Sequence, residues 1–166
     1  MTLEEAASVA HIVTASVALL AAIIAAISIL NRRNIAQRQA AIDFFLKTQM
    51  DDTVIALYND FRRIAPSIAS LPSMENFVGT PDYTRVRAFL NICELIAVGI
   101  SERIFSERIA YAYWGDVLPW SYQATEPLIK YVRSTPGEGT PSTYLDLEKI
   151  SKRWAKRNAR QRRRQR

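Results

Sequence analysis

Ten lysines and arginines fall between Lys149 and Arg166 with no Asp or Glu among them, the densest chemistry in the sequence. Guanidinium and ammonium groups in such a run bind phosphate, whether of nucleic acid or of anionic lipid headgroups. Arg153, Lys156, Arg157, Arg160, Arg162, Arg163, Arg164 and Arg166 are therefore expected to hold an anionic partner. Elsewhere the residues offer little reactive chemistry. The lone cysteine, Cys93, excludes a disulfide scaffold and a cysteine-based zinc cluster. As a nucleophile it would lack a histidine base, as would any serine, because the one histidine, His11, sits in an apolar run. There is no glycine-rich phosphate loop and no HExxH. Glu94 precedes an apolar stretch and reads either as a buried carboxylate or as half of a surface ion pair. Asp116 beside Trp114 invites a sugar-site reading, although aromatics at helical spacing more often fill a core. The repeated SERI, with Glu102, Arg103, Glu107 and Arg108, reads as a charge-balanced helix face. No catalytic residue, metal ligand or cofactor follows, and a non-enzyme is expected.

The chain carrying this run has 166 residues, about one domain by size. It is 49% apolar and 23% charged, which excludes a disordered chain and a polytopic membrane protein. Seven prolines and five glycines, none before Pro66, favour helices over sheets. The net charge of +6 divides unevenly, because residues 1–148 hold twelve basic against sixteen acidic side chains, a net of −4. The body is mildly acidic and the basic character belongs to an appended arm.

Ala6 to Leu30 is an uncharged run of 25 residues rich in Ala, Ile, Leu and Val. As a helix it extends roughly 37 Å, enough to cross a hydrocarbon layer of about 30 Å with some tilt. A soluble helix of that length normally carries a charged face, and this one has none. A cleaved signal peptide fits poorly, since Glu4 and Glu5 stand where Lys or Arg is expected. Arg32, Arg33 and Arg38 follow the span while no basic residue precedes it. The positive-inside rule then places residues 31–166 in the cytoplasm of a bacterial inner-membrane protein, with the N-terminus outside. Ala6, Ala10, Thr14, Ala18, Ala22 and Ala26 recur every four residues, and such stripes let membrane helices approach closely. Homo-oligomerisation through Ala10, Thr14, Ala18, Ala22 and Ala26 is expected. His11, one turn from Thr14, is either a neutral interfacial imidazole or a pore-lining group.

The elements beyond the span are helical by pattern. Ile35, Ile42, Phe45 and Leu46 extend the membrane helix beyond Arg33. Asp51 and Asp52, the first as N-cap, mark a break before a helix carrying Val54, Leu57, Tyr58 and Phe61 that ends near Pro66. Pro66 to Pro81 reads as a loop with room for one short turn. Thr80-Pro81 is a helix start, Val86, Phe89, Leu90, Cys93, Ile96 and Ala97 trace an apolar face, and Gly99 suits a left-handed C-cap. Ser106 caps a helix directing Ile109, Tyr113, Trp114 and Val117 inward until Pro119 stops it. Trp120, Leu128, Ile129 and Val132 define another, started or kinked at Pro127. After a linker over 134–141, Thr140-Pro141 opens a last helix with Tyr144, Leu147 and Trp154 on one stripe. The expected organisation is an anchor over 1–33, a cytoplasmic helical domain over 34–133, and a basic helix and tail over 142–166 whose end is solvated or held by an anion.

The segments FLNICELIAVGI (Phe89 to Ile100), SERIAYAYW (Ser106 to Trp114) and PLIKYVR (Pro127 to Arg133) resemble a family of small bacterial and phage proteins, domain of unknown function 4760. An N-terminal membrane helix leading through RQAAIDFFLKT is similar to its members too. The resemblance spans roughly residues 10–133, implies an all-α fold with a membrane anchor, and brings no catalytic residue.

The function expected from these readings is a non-enzymatic single-pass membrane protein that presents a helical interaction domain, self-associates, and binds anionic lipid through its tail. A tether at the bilayer makes lipid the locally concentrated anion. Nucleic acid is the rival partner, with Trp154 as the one aromatic near the basic run. A different class is a membrane-perturbing effector whose oligomerised spans leak ions, with His11, Thr14 and Ser16 inward.

Overall fold

The computed structural model describes residues 3–164, with the side chains of residues 3–13 and of Gln49 outside that description. Ala10 and His11 therefore lie outside the described side chains, and Arg166 outside the described residues altogether. The described chain is all-α, with seven α-helices and no strand among its residues. They are α1 (Leu3–Met50), α2 (Asp52–Ile64), α3 (Met74–Phe77), α4 (Pro81–Ser101), α5 (Glu107–Trp114), α6 (Val117–Ser134) and α7 (Leu145–Arg164). Met1–Gln37 and Arg38–Arg166 are separate compact units.

In the first unit every described side chain from Thr14 to Ala36 is exposed, including Val17, Leu20, Ile23, Ile24 and Ile27. α1 is long and apolar enough to cross a membrane, with a mean hydropathy of 2.1 over its most apolar window and none of that window buried. The four-residue spacing of Thr14, Ala18, Ala22 and Ala26 leaves all four exposed on this helix.

The second unit builds its core from α2, α4, α5, α6 and α7 with the end of α1. Asp51 caps α2 by accepting from the Thr53 and Val54 amides at 2.9 and 3.3 Å. On α1 the inward residues are Ala41, Phe44 and Phe45, whereas Ile35, Ile42 and Leu46 stay exposed. The segment expected as a loop is more ordered than its three prolines suggest. A 3₁₀ helix occupies Ala65–Ser70, and Ser73 caps the single turn of α3. Thr80 caps α4 at the Tyr83 amide, and the whole predicted face from Val86 to Ala97 is buried.

Gly99 does not end α4. The helix continues to Ser101, and the left-handed residue is Arg103, at φ 57°. The Arg103 and Ile104 amides return to the Ile100 and Gly99 carbonyls at 3.1 and 2.8 Å, the paired bonds of a Schellman ending. Glycine is needed at 99 for packing instead. A Cβ there would stand 2.4 Å from the Phe105 ring, which Phe44 and Phe45 hold at centroid distances of 5.0 and 5.7 Å. Overpacking costs about 1–3 kcal/mol, and alanine's helix preference offsets about 1 kcal/mol of it. Gly99→Ala is thus expected to destabilise the domain, by up to about 2 kcal/mol. A thermal melt of the full-length protein in detergent at or above the wild-type midpoint contradicts this.

Prolines bear on two further expectations. Pro119 lies in the first turn of α6, where the missing amide has no helical partner to lose, so it opens that helix rather than stopping α5. α6 also runs through Pro127 without starting there. Ser106 precedes α5 but its side chain makes no capping bond. Tyr113 is 42% exposed and stacks on Phe45, while Trp114 and Ala110 turn inward and Ile109 and Val117 are half-buried.

Candidate functional site

The basic run lies on α7, so the site begins with what holds that helix. α7 starts at Leu145, four residues beyond Pro141, after a turn ending at Tyr144 with φ 60°. That left-handed tyrosine is buried; its hydroxyl donates to Asn91 Oδ1 at 2.9 Å and the Arg87 guanidinium lies over its ring at 5.5 Å. Arg133 of α6 donates to the Thr143 and Tyr144 carbonyls and, at 2.6 Å, to Glu148 Oε2. Lys152 donates to the other Glu148 oxygen, and these two cations hold the Glu148 carboxyl down to about 2.

Glu94, on α4, accepts from the Leu147 amide at 2.7 Å and the Asp146 amide at 3.4 Å. It caps two amides of α7's first turn from across the fold, adding to that turn's own Asp146 and Glu148 where free amides and the helix dipole favour negative charge. Burial raises its pKa even so, and the two amides only partly oppose that rise. The sequence alternatives for Glu94 did not include this role, since its partners lie over fifty residues away.

Leu147, Ile150, Ser151 and Trp154 form the buried face of α7. The Trp154 indole donates to Glu107 Oε1 at 2.9 Å and its ring meets Tyr111 edge-on at 5.2 Å. Docking continues one turn beyond the expected limit. Asn158 donates to the Gly115 carbonyl and to Asp116 Oδ1, and accepts from the Tyr111 hydroxyl. Gly115 is required here, because a Cβ would meet the Tyr111 carbonyl at 2.4 Å.

The basic residues separate accordingly. Arg153 pairs with Glu107 at 3.0 Å and Arg157 lies 3.7 Å over the Tyr111 ring, so neither is free. Lys149, Arg153, Lys156, Arg157, Arg160 and Arg164 border one shallow surface along α7. Among the described residues, no carboxylate pairs with Lys156, Arg160, Arg162, Arg163 or Arg164. Arg162 faces elsewhere, into a groove with Tyr58, Arg62 and Trp120, residues too far apart along the chain for spacing to group them. Trp154 is fully buried and offers no stacking surface to a nucleic acid.

The candidate residues considered for reaction chemistry have structural partners. Cys93 is fully buried, and burial pushes its thiol far up. Asp116 receives Asn158. Among the described residues no three His, Cys, Asp or Glu side chains gather to hold a metal ion.

No curated protein and no solved structure matches the chain. One family model does, over residues 14–154, which reaches past Arg133 to include the docked half of α7 and ends at the buried Trp154. With most of its length so matched, the chain belongs to the family described as domain of unknown function (DUF4760).

Proposed function

We propose that this chain is a non-enzymatic, single-pass protein of the bacterial inner membrane. In this reading α1 crosses the bilayer with its N-terminus outside, and the helical domain lies in the cytoplasm as an interaction module. Self-association runs through the small residues Ala10, Thr14, Ala18, Ala22 and Ala26. The outer stripe of α7 engages anionic lipid headgroups. The observation that carries it is the unbroken exposure of apolar side chains from Val17 to Leu30, a surface far larger than a soluble chain leaves in water. The stripe supports the lipid reading, because Lys156, Arg160, Arg163 and Arg164 have no carboxylate partner and each basic group near an anionic surface contributes about 1 kcal/mol.

The test is reconstitution of the full-length protein into vesicles of phosphatidylcholine, with or without about 30% phosphatidylglycerol, enough for a strong surface potential. Trypsin cleavage after Lys156 and Arg160 is expected to slow at least tenfold in the anionic vesicles at low salt. Lys156→Gln with Arg160→Gln, Arg163→Gln and Arg164→Gln should abolish the anionic-lipid effect, read at Arg153 and Arg157. Equal cleavage in both vesicles, with protection by RNA instead, refutes lipid as the partner.

A further inference from the structure

A second face of α7, turned away from the lipid-directed stripe, borders a groove of about 950 Å³ formed with α2 and the start of α6. Ligand clefts fall within about 300–1,000 Å³ and combine flat apolar surface with a few convergent polar groups. Here the flat surface comes from the half-buried Trp120, over a floor of prolines and alanines, while the half-buried Tyr58 packs on Phe89 and carries Arg62 over its ring. The Trp120 ring is fixed edge-on to Phe61 at 5.4 Å, and its indole N–H has no partner within the described protein. Two cations border the same groove. Arg62 is exposed, lies 5.8 Å over the Tyr58 ring and has no carboxylate partner; Arg162 has none either. Asp116 uses Oδ1 to receive Asn158 and keeps Oδ2 available.

We infer that this groove binds a nucleotide. Trp120 presents ring surface to the base, Arg62, held over Tyr58, and Arg162 hold the phosphates, and Asp116 Oδ2 accepts from a base amine or a ribose hydroxyl. Aromatic faces accept any base by stacking, and arginine adds both charge and planar hydrogen bonding to phosphate. A lipid fits less well, because two guanidinium groups and a carboxylate interrupt the apolar surface an acyl chain needs. The inference is independent of the lipid reading, since the two faces of α7 use different arginines.

The experiment is equilibrium dialysis of the full-length protein in detergent against labelled ATP, with inorganic triphosphate, adenosine and a tetra-aspartate peptide as separate probes. ATP is expected to bind saturably at one site per chain, with triphosphate and adenosine each at least tenfold weaker. Arg62→Gln and Arg162→Gln should each weaken ATP at least fivefold with the melting midpoint unchanged, and Trp120→Ala should weaken ATP at least fivefold without changing triphosphate. Lys156→Gln with Arg160→Gln, on the lipid-directed stripe, should leave ATP binding as it was. Absence of saturable binding overturns the proposal. So does triphosphate or the peptide binding as tightly as ATP, or a loss caused equally by the stripe variants, which means diffuse attraction to a polycation.

Discussion

Trp154→Ala is expected to remove about 3–5 kcal/mol of stability, the range for deleting a buried aromatic. Small domains hold only about 5–15 kcal/mol in total, so the variant should lose a large share of that margin. The ring is fully buried, donates its N–H to Glu107 and meets Tyr111 edge-on, and it is the last large apolar anchor of α7. Its loss also undoes what lies beyond, since Arg157 over Tyr111 and Asn158 on Gly115 depend on α7 staying docked. Two readouts are therefore linked. The near-ultraviolet dichroism of the full-length protein in detergent should melt far earlier, and trypsin should cut after Lys156 and Arg157 before any unfolding of α4. Trp154→Phe separates packing from hydrogen bonding: it keeps most of the ring, loses the bond to Glu107, and should cost about 1–2 kcal/mol. A Trp154→Ala protein that melts within two or three degrees of wild type (about 1 kcal/mol or less) means α7 is an appendage and not part of the core.

That α7 belongs to the core was only half visible in the sequence. Tyr144, Leu147 and Trp154 announce a buried stripe by their spacing, and all three are buried. The dense charge that follows masks the docking of Asn158, because a single polar residue bonded to a distant glycine carbonyl leaves no periodic trace. The α4 face was legible for the opposite reason: six apolar residues at helical spacing behind a Thr-Pro start leave one consistent reading. Where tertiary contacts decide, local rules failed. Gly99 looks like a cap because glycine favours left-handed backbone, yet its place is set by the Phe105 ring. Pro119 looks like a stop, yet it sits where a helix tolerates proline. Of the candidate sites, the cationic stripe could be read directly from composition. The groove could not, since Arg62, Trp120 and Arg162 are separated by forty or more residues and meet only through the packing of three helices.

Acid should act on the same α6–α7 junction through Glu148. Its carboxylate receives Arg133 at 2.6 Å and Lys152 at 2.5 Å, with its folded pKa lowered to about 2 by these bonds. A lowered carboxylate pKa means the folded protein favours the ionised form, so the contribution is complete above the unfolded value near 4.5 and fades as pH falls toward about 2. One pKa unit corresponds to about 1.4 kcal/mol. Because Lys152 is 60% exposed, solvent screening reduces the full shift, leaving about 2 kcal/mol. Glu94 acts with the opposite sign. Burial raises its pKa, so its ionisation opposes folding as pH rises past 4.5, and acid relieves that cost. Comparing wild type with Glu148→Gln by denaturant titration between pH 2 and 7 isolates the first effect. The wild type should be more stable by about 2 kcal/mol above pH 5, with the gap closing toward pH 2. In Glu94→Gln the comparison should move the other way over the range just above pH 4.5. A Glu148 gap that stays constant to pH 2 shows that the two cations do not favour its ionised form, and Arg133 then holds the turn before α7 through the Thr143 and Tyr144 carbonyls alone.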